Sequence, residues 1–160
     1  MTIETRLLAN IPKERNVLER HGNPWRGMLS KAETDYLKTQ RLARVASVSP
    51  KGQPEVSPVG FEWDGEYLWV GTHDPSFFPL TQRYKNITRG NARVSLVVDD
   101  QVSVVPWKVR GIKFLGKAEI REHKGIFGPG KYLRIAPRVS VSWGIEPAKK
   151  GQWTSRKTHK

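Results

Sequence analysis

The chain has 160 residues, a net charge of +13 at pH 7 and no cysteine. Its length fits one domain with a sizeable core and excludes two large domains. Six Trp, five Phe and four Tyr argue against a disordered chain. The lack of cysteine excludes disulfides, thiolate metal sites and cysteine nucleophiles. The positive charge favours an anionic partner: nucleic acid, acidic lipid or a phosphorylated small molecule.

The positive charge is concentrated in the C-terminal third of the chain. Residues 1–103 carry 14 basic and 12 acidic side chains, whereas residues 104–160 carry 14 basic and 3 acidic ones, a net charge of +11. No signal peptide and no apolar run of membrane-spanning length is evident in the sequence. We therefore expect a soluble, cytoplasmic protein without a membrane partner.

The predicted elements begin after a poorly periodic N-terminal arm, residues 1–28. Ser30 and Glu33 have capping-box spacing, and the apolar residues that follow predict a helix over 31–40. Strands are predicted, in chain order, over 42–49, 55–63, 67–72, 92–98, 112–121 and 138–143. A brief helical pattern covers 80–87, and loops are predicted at 74–78 and 125–130. The basic tail, residues 148–160, is expected to be mobile.

Six short strands with two modest helices predict an all-β fold. A barrel or a sandwich with peripheral helices satisfies this pattern. We assign it to a single domain over residues 29–147, between the arm and the tail.

Two segments combine basic side chains with features that suit a ligand. Arg83, Lys85 and Asn86 stand at a predicted loop-to-helix junction, where backbone N–H groups favour a phosphate. The alternative is a solvated basic helix face. Trp107 directly precedes Lys108 and lies near Arg110, so it could stack on a planar ligand, or it could simply be structural.

Other kinds of site find less support in the sequence. The basic residues lie mostly in loops and the tail, which disfavours a nucleic-acid-binding barrel face. The four His residues have no paired spacing, so we expect no metal site. No nucleophile elbow, phosphate-binding Walker loop or dinucleotide fingerprint occurs. An enzyme with this sequence would take its chemistry from a cofactor.

The order of several segments is typical of one group of proteins. After the predicted helix come Arg41-Leu42-Ala43-Arg44-Val45-Ala46-Ser47-Val48, Gly52-Gln53-Pro54-Glu55-Val56-Ser57-Pro58-Val59-Gly60-Phe61, Asp64-Gly65, Gly71-Thr72, Arg83-Tyr84-Lys85-Asn86-Ile87 and Arg93-Val94-Ser95-Leu96-Val97-Val98-Asp99-Asp100. Over residues 29–145 the chain resembles the split β-barrel flavin and deazaflavin oxidoreductase superfamily, which includes pyridoxamine 5′-phosphate oxidase. The pieces Pro106-Trp107-Lys108-Val109-Arg110-Gly111, Gly116-Lys117-Ala118-Glu119 and Ile135-Ala136-Pro137-Arg138-Val139 to Ser142-Trp143-Gly144 are similar to its branch of coenzyme F-420 (deazaflavin) dependent enzymes.

The resemblance implies a homodimer with a cofactor in each of two grooves between the subunits. It implies that the cofactor ring lies against Val56, Pro58, Val59, Gly60 and Phe61. The phosphate and side chain of the cofactor would be held by Thr72, Arg83, Lys85 and Asn86. The neighbouring subunit would contribute Trp107, Lys108 and Arg110. Trp143 would close the far edge of the pocket. The chain departs from the family pattern at Arg83, where Lys is frequent, and in a longer loop over 73–80.

The resemblance also implies an activity. We expect an oxidoreductase in which reduced coenzyme F-420 transfers a hydride to an unsaturated small-molecule substrate, with no catalytic side chain required. The phosphate and oligoglutamate tail of this coenzyme would match the basic C-terminal third. FMN is the alternative cofactor, and a non-enzymatic flavin or deazaflavin carrier is the alternative function. Motifs diagnostic of true pyridoxamine phosphate oxidases are not evident in the C-terminal part, so we do not expect pyridoxal phosphate synthesis.

Overall fold

The computed structural model describes residues 27–146 and 153–157. Its elements, in chain order, are α1 (Lys31–Thr39), β1 (Leu42–Val48), β2 (Pro54–Trp63), β3 (Leu68–Val70), a 3-10 helix (Pro75–Leu80), α2 (Gln82–Thr88), β4 (Arg93–Ser103), β5 (Lys108–Gly125), β6 (Gly128–Trp143) and β7 (Thr154–Lys157). The predicted N-terminal arm lies outside the described residues except for positions 27 and 28.

The strands form one antiparallel sheet that closes on itself. Their order is β3-β2-β1-β4-β5-β6-β7, and a further pairing between β3 and β6 closes the first six strands into a barrel. Closure removes the free edges that an open sheet would expose. The β-rich barrel expected from the sequence is therefore confirmed.

Apolar side chains on the inner face of every barrel strand form the core. They include Ala43, Val45, Val59, Phe61, Leu68, Val70, Val94, Leu96, Val98, Ile112, Phe114, Ala118, Leu133 and Ile135. The strand predicted over 112–121 is confirmed, and its side chains alternate as the sequence pattern does: Ile112 and Phe114 are fully buried, and Lys113 between them is exposed. In the described part of the chain, no helix is long and apolar enough to cross a bilayer.

Helix α1 is tied to the barrel through its first turn. Ser30 Oγ accepts a hydrogen bond from the Glu33 N–H at 3.1 Å, and Glu33 Oε2 accepts one from the Ser30 N–H at 2.9 Å. The predicted capping box is thus confirmed. The Glu33 carboxylate is also fully buried, and it accepts hydrogen bonds from Ser142 Oγ at 2.7 Å and Arg156 Nε at 3.0 Å. One carboxylate therefore joins α1, β6 and β7.

Two segments predicted as loops are ordered elements. The prediction at 74–78 is wrong because Pro75–Leu80 forms a 3-10 helix. Asp74 caps this helix by accepting the Ser76 N–H at 2.9 Å, and Phe78 is fully buried beneath it. The loop predicted at 125–130 shrinks to a two-residue tip, because Gly125 pairs directly with Gly128.

The basic tail contains a strand that its composition does not indicate. Thr154–Lys157 pairs with β6 from Val139 to Ser142, so this part of the expected mobile tail is ordered. Its residues are polar and show no hydrophobic alternation, which is why pattern reasoning passed over it. Its attachment rests on backbone pairing and on the contact of Arg156 with Glu33.

Gly111 in β5 is a position where the fold requires a glycine. A Cβ there would lie 2.4 Å from Trp143 Cζ2 and 2.9 Å from the Val98 carbonyl oxygen. We expect Gly111→Ala to lower the free energy of unfolding by about 1–3 kcal/mol through overpacking. Urea unfolding measures this, with Lys113→Ala at an exposed position of the same strand as the control. An unchanged midpoint for Gly111→Ala would show that the Trp143 ring can move away freely.

Candidate functional site

Arg83 is a buried cation without a counter-ion among the described residues. It lies in α2 with 8% of its surface exposed. One guanidinium nitrogen donates a long 3.5 Å hydrogen bond to the Gly71 carbonyl, the Nε atom is buried without a partner, and the guanidinium carbon lies 5.6 Å from the centre of the Phe78 ring. Burial lowers the pKa of Arg83, and the charge of Glu55 opposes this. A desolvated guanidinium with a free donor is suited to an anion.

The other predicted phosphate ligands Thr72 and Lys85 differ in their position relative to Arg83. Gly71, which contacts Arg83, directly precedes Thr72, so β3 brings Thr72 to the same corner. The Thr72 hydroxyl donates to the Asp74 carbonyl at 2.6 Å, which occupies its hydrogen within the loop. Lys85 lies two residues beyond Arg83 in α2, and residues at that spacing do not face each other on a helix. Arg83 and Thr72 are therefore brought together, and Lys85 is on another face.

Asn86 serves the packing of α2 and does not offer its amide to a ligand. The side chain is fully buried. Its Nδ2 donates to Ser47 Oγ at 2.9 Å, and its Oδ1 accepts from Gln82 Nε2 at 2.8 Å. Ser47 Oγ in turn donates to Glu55 Oε2 at 3.3 Å. This polar network fixes α2 over one end of the barrel and so holds Arg83 in place.

The predicted ring-binding strand presents only some of its side chains outward. Val59 and Phe61 face the barrel interior and belong to the core. Val56, with 67% of its surface exposed, and Pro58 lie on the outer face, and so does Gly60. A ring lying on β2 would contact Val56 and Pro58, because the outer side of Gly60 is covered by the Phe127 ring.

The remaining predicted site residues lie around the hairpin between β4 and β5. Arg110 donates two hydrogen bonds to Asp100, at 2.8 and 2.9 Å, and its guanidinium carbon lies 4.9 Å from the centre of the Tyr36 ring. The hydrogen bonds from Arg110 lower the pKa of Asp100, and the same contact raises the pKa of Arg110. Arg110 is thus neutralised within the chain. Trp107 and Lys108 are exposed.

Within one chain, Arg83 and the hairpin residues contact different parts of the protein: Arg83 contacts Gly71 and Phe78, and Arg110 contacts Asp100 and Tyr36. Strand β1 runs from Leu42, which pairs with Gly60, to Val48, which pairs with Pro54. Asn86 holds α2 beside Ser47, at the Val48 end. The hairpin with Trp107 projects beyond the Leu42 end of β1. Strand β4 runs antiparallel beside β1, so the residues of β4 from Ser95 toward Asp99 lead toward that end. A single chain therefore does not unite the two groups.

Sequence reasoning missed three residues near these groups. The Phe127 ring lies against Gly60 and Gly71, and Trp153 at the start of β7 lies 6.4 Å from Trp143 between ring centres. Gly71 itself accepts the hydrogen bond from Arg83. An aromatic residue inside a glycine-rich turn was the one available signal for Phe127. Over residues 27–146 and 153–157, no group of three or more His, Asp or Glu is placed to hold a metal.

The profile of the pyridoxamine 5′-phosphate oxidase family matches residues 29–149. The chain belongs to this family. The 5a,11a-dehydrotetracycline/5a,11a-dehydrooxytetracycline reductase of Streptomyces rimosus is 34% identical over 121 residues, which cover 71% of this chain and 82% of that protein. The superfamily resemblance seen in the sequence is confirmed.

Solved structures share the fold of this family member. A conserved hypothetical protein from Mycobacterium tuberculosis superposes with a TM-score of 0.57 at 24% identity, covering 78% of this chain and 92% of that one. An F-420 reductase superposes with a TM-score of 0.54 at 20% identity, covering 70% of this chain and 98% of that one. At these identities the likeness concerns the fold alone.

Proposed function

We propose that this chain is an oxidoreductase that binds a phosphorylated flavin or deazaflavin, with the phosphate held by Arg83. The observation that carries the proposal is the burial of Arg83 without a counter-ion among the described residues. Removing a charge from water is costly unless a partner of opposite sign binds it. The Streptomyces rimosus relative is a reductase, which supports redox chemistry.

The residues present fit such a cofactor. A guanidinium offers a planar fork of donors that matches a phosphate, and the buried Arg83 Nε has no partner among the described residues. The outer face of β2 offers Val56 and Pro58 to a flat ring, next to the Phe127 ring that lies on Gly60. When bound, a reduced deazaflavin supplies a hydride from C5 to an unsaturated substrate, and water supplies the proton. The protein's own part is to bind, orient and exclude water.

Coenzyme F-420 is our first choice over FMN because of the charge distribution. Residues 104–160 carry a net charge of +11, far more than one phosphate requires. An oligoglutamate tail would use this field, and in the hairpin between β4 and β5 the exposed Lys108 would meet it, because Arg110 is paired with Asp100. The relative from Streptomyces rimosus is named for dehydro compounds, which agrees with an unsaturated substrate.

We further propose a homodimer whose interface is the outer face of the sheet. Val56, Leu42 and Leu115 are exposed there, and half-buried Val97, Val139 and Val141 lie on the same face. The hairpin beyond it exposes Val102, Val104, Val105, Trp107 and Val109. Exposed apolar side chains gathered on one face favour an interface there, with the Arg44–Asp99 ion pair and Lys113 among them. A partner hairpin would supply Trp107 and Lys108 to the groove beside Arg83.

Trp107→Ala tests the dimer. With 68% of its surface exposed, Trp107 contributes little to the fold of one chain. As a buried interface anchor it would contribute about 2 kcal/mol, so we expect the dimer dissociation constant to rise about 30-fold with an unchanged melting temperature. Analytical ultracentrifugation over a dilution series measures this, with Phe77→Ala, another exposed aromatic, as the control. Equal dissociation of both variants and the parent protein would refute the role of the hairpin.

Binding experiments separate the candidate functions. Purified protein is titrated with coenzyme F-420 and with FMN while tryptophan fluorescence quenching is followed, and reducible substrates are then screened for oxidation of the reduced cofactor. We expect micromolar binding of the deazaflavin and turnover with a conjugated substrate. Micromolar binding of FMN with none of the deazaflavin would make FMN the cofactor. Binding of neither would exclude the proposed function.

A further inference from the structure

Two glycines on neighbouring strands create a flat patch on the outer face of the barrel. The register of β2 and β3 pairs Phe61 with Val70, which places Gly60 opposite Gly71. A Cβ at Gly60 would lie 2.4 Å from Phe127 Cζ, and a Cβ at Gly71 would lie 3.0 Å from Phe127 Cδ2. The Phe127 ring therefore lies directly on bare backbone, at a spot where any side chain would displace it.

The tip that carries Phe127 is held firmly. The Ile126 N–H donates to Glu62 Oε2 at 3.1 Å, and the Phe127 N–H donates to Tyr132 Oη at 3.1 Å. Tyr132 Oη donates in turn to the Gly128 carbonyl at 2.8 Å. These bonds fix the turn between β5 and β6 against the barrel, so the position of the Phe127 ring is determined by the fold.

Gly71 lies between the Phe127 ring and the buried Arg83 guanidinium. Gly71 contacts Phe127 on its outer side, and its carbonyl oxygen accepts the hydrogen bond from Arg83. Apolar side chains that protrude into solvent occur on the tip and on the neighbouring 3-10 helix: Ile126, Phe77 and Leu80. Pro75 of that helix packs against Gly130 at the start of β6, which brings the two segments together.

We propose that Phe127 is a specificity-determining residue: its ring is the wall against which the planar ring system of a phosphorylated ligand packs, at a distance from Arg83 set by Gly71. The Phe127 side chain is partly exposed, which leaves part of the ring open for such a contact. The proposal rests on the proposed function, because it takes Arg83 as the phosphate ligand. It assigns ring recognition to the turn between β5 and β6, a segment that the sequence indicated only as a loop.

The test compares three probes that contain the ring, the phosphate or both. Riboflavin, inorganic phosphate and FMN are titrated into the parent protein, Phe127→Ala and Phe127→Leu. We expect Phe127→Ala to weaken FMN and riboflavin about tenfold through loss of aromatic contact, Phe127→Leu to weaken them less, and both to leave phosphate binding unchanged. Ile126→Ala, at the neighbouring exposed position, is the control and should change FMN binding less than Phe127→Ala.

Two outcomes would overturn the role of Phe127. Unchanged riboflavin and FMN affinities in Phe127→Ala would place the ring elsewhere, and equal weakening of phosphate would make Phe127 a support for the fold only. Phe127→Tyr keeps the aromatic face and is expected to bind FMN like the parent, which keeps the test decisive if Phe127→Ala is unstable. Failure of the proposed function gives a different result, namely FMN and phosphate affinities that are unchanged in Arg83→Gln.

Discussion

Arg83→Gln is expected to weaken binding of the phosphorylated cofactor about a hundredfold. Losing one member of a buried, hydrogen-bonded charge pair costs about 2–5 kcal/mol, and each 1.4 kcal/mol is a factor of ten. Arg83 would form such a pair with the phosphate of a bound cofactor. It is buried, its Nε has no partner among the described residues, and its hydrogen bond to Gly71 is long. Isothermal titration with coenzyme F-420 and FMN measures the loss.

The same substitution should leave the unliganded protein no less stable. A buried cation without a counter-ion opposes folding, so a neutral side chain of similar length removes that cost. Loss of affinity with an unchanged or raised melting temperature separates a binding role from a structural one. Lys85→Gln is the matched control, because Lys85 lies on another face of α2, and we expect less than about threefold effect. A larger loss of cofactor affinity for Lys85→Gln than for Arg83→Gln would assign phosphate binding to Lys85 instead of Arg83.

Glu33→Ala is expected to lower the free energy of unfolding by about 3–5 kcal/mol. The fully buried carboxylate accepts hydrogen bonds from the Ser30 N–H, Ser142 Oγ and Arg156 Nε. Its removal leaves the buried Ser142 hydroxyl without this acceptor and unties β7 from α1. Urea unfolding measures the loss, and hydrogen exchange of 154–157 should report earlier release of β7.

Substitution of the partner of Glu33 provides the complementary test. Arg156→Ala should cost about 2–3 kcal/mol, because a hydrogen bond to a charged group is lost and the carboxylate stays buried. Lys157→Ala, at the exposed neighbouring position, should have almost no effect. If Arg156→Ala were as stable as Lys157→Ala, β7 would be held by its backbone pairing alone. Truncation of the basic tail removes β7 together with the positive charges, so it changes the stability of the protein as well as its charge.

The barrel was predictable because its strands carry strong local signals. The alternation around Ile112 and Phe114 and the capping box of Ser30 each specify local structure without tertiary information. β7 was not predictable, since its polar residues are held by pairing with β6 and by Glu33, which lies more than a hundred residues away in sequence. Local pattern cannot report such a contact.

For the candidate site, the sequence supports a prediction about chemistry but none about geometry. The cluster around Arg83 predicts a phosphate site from its position at a loop-to-helix junction, and this stays a prediction. The spacing of these residues in the sequence did not reveal that Asn86 is hydrogen-bonded to Ser47 and Gln82, or that Arg110 is hydrogen-bonded to Asp100. The contact of Phe127 with Gly60 depends on how a long hairpin folds back, which is set by tertiary packing. Side-chain partners decided each of these roles.

The most direct test of Arg83 as the phosphate ligand compares FMN with riboflavin, its counterpart without phosphate, in the parent protein and in Arg83→Gln. The ratio of the two dissociation constants isolates the contribution of the phosphate. We expect FMN to bind the parent about a hundredfold more tightly than riboflavin, and this preference to fall to within about threefold in Arg83→Gln. A preference for FMN that survives the substitution unchanged would contradict the assignment of Arg83 to the phosphate.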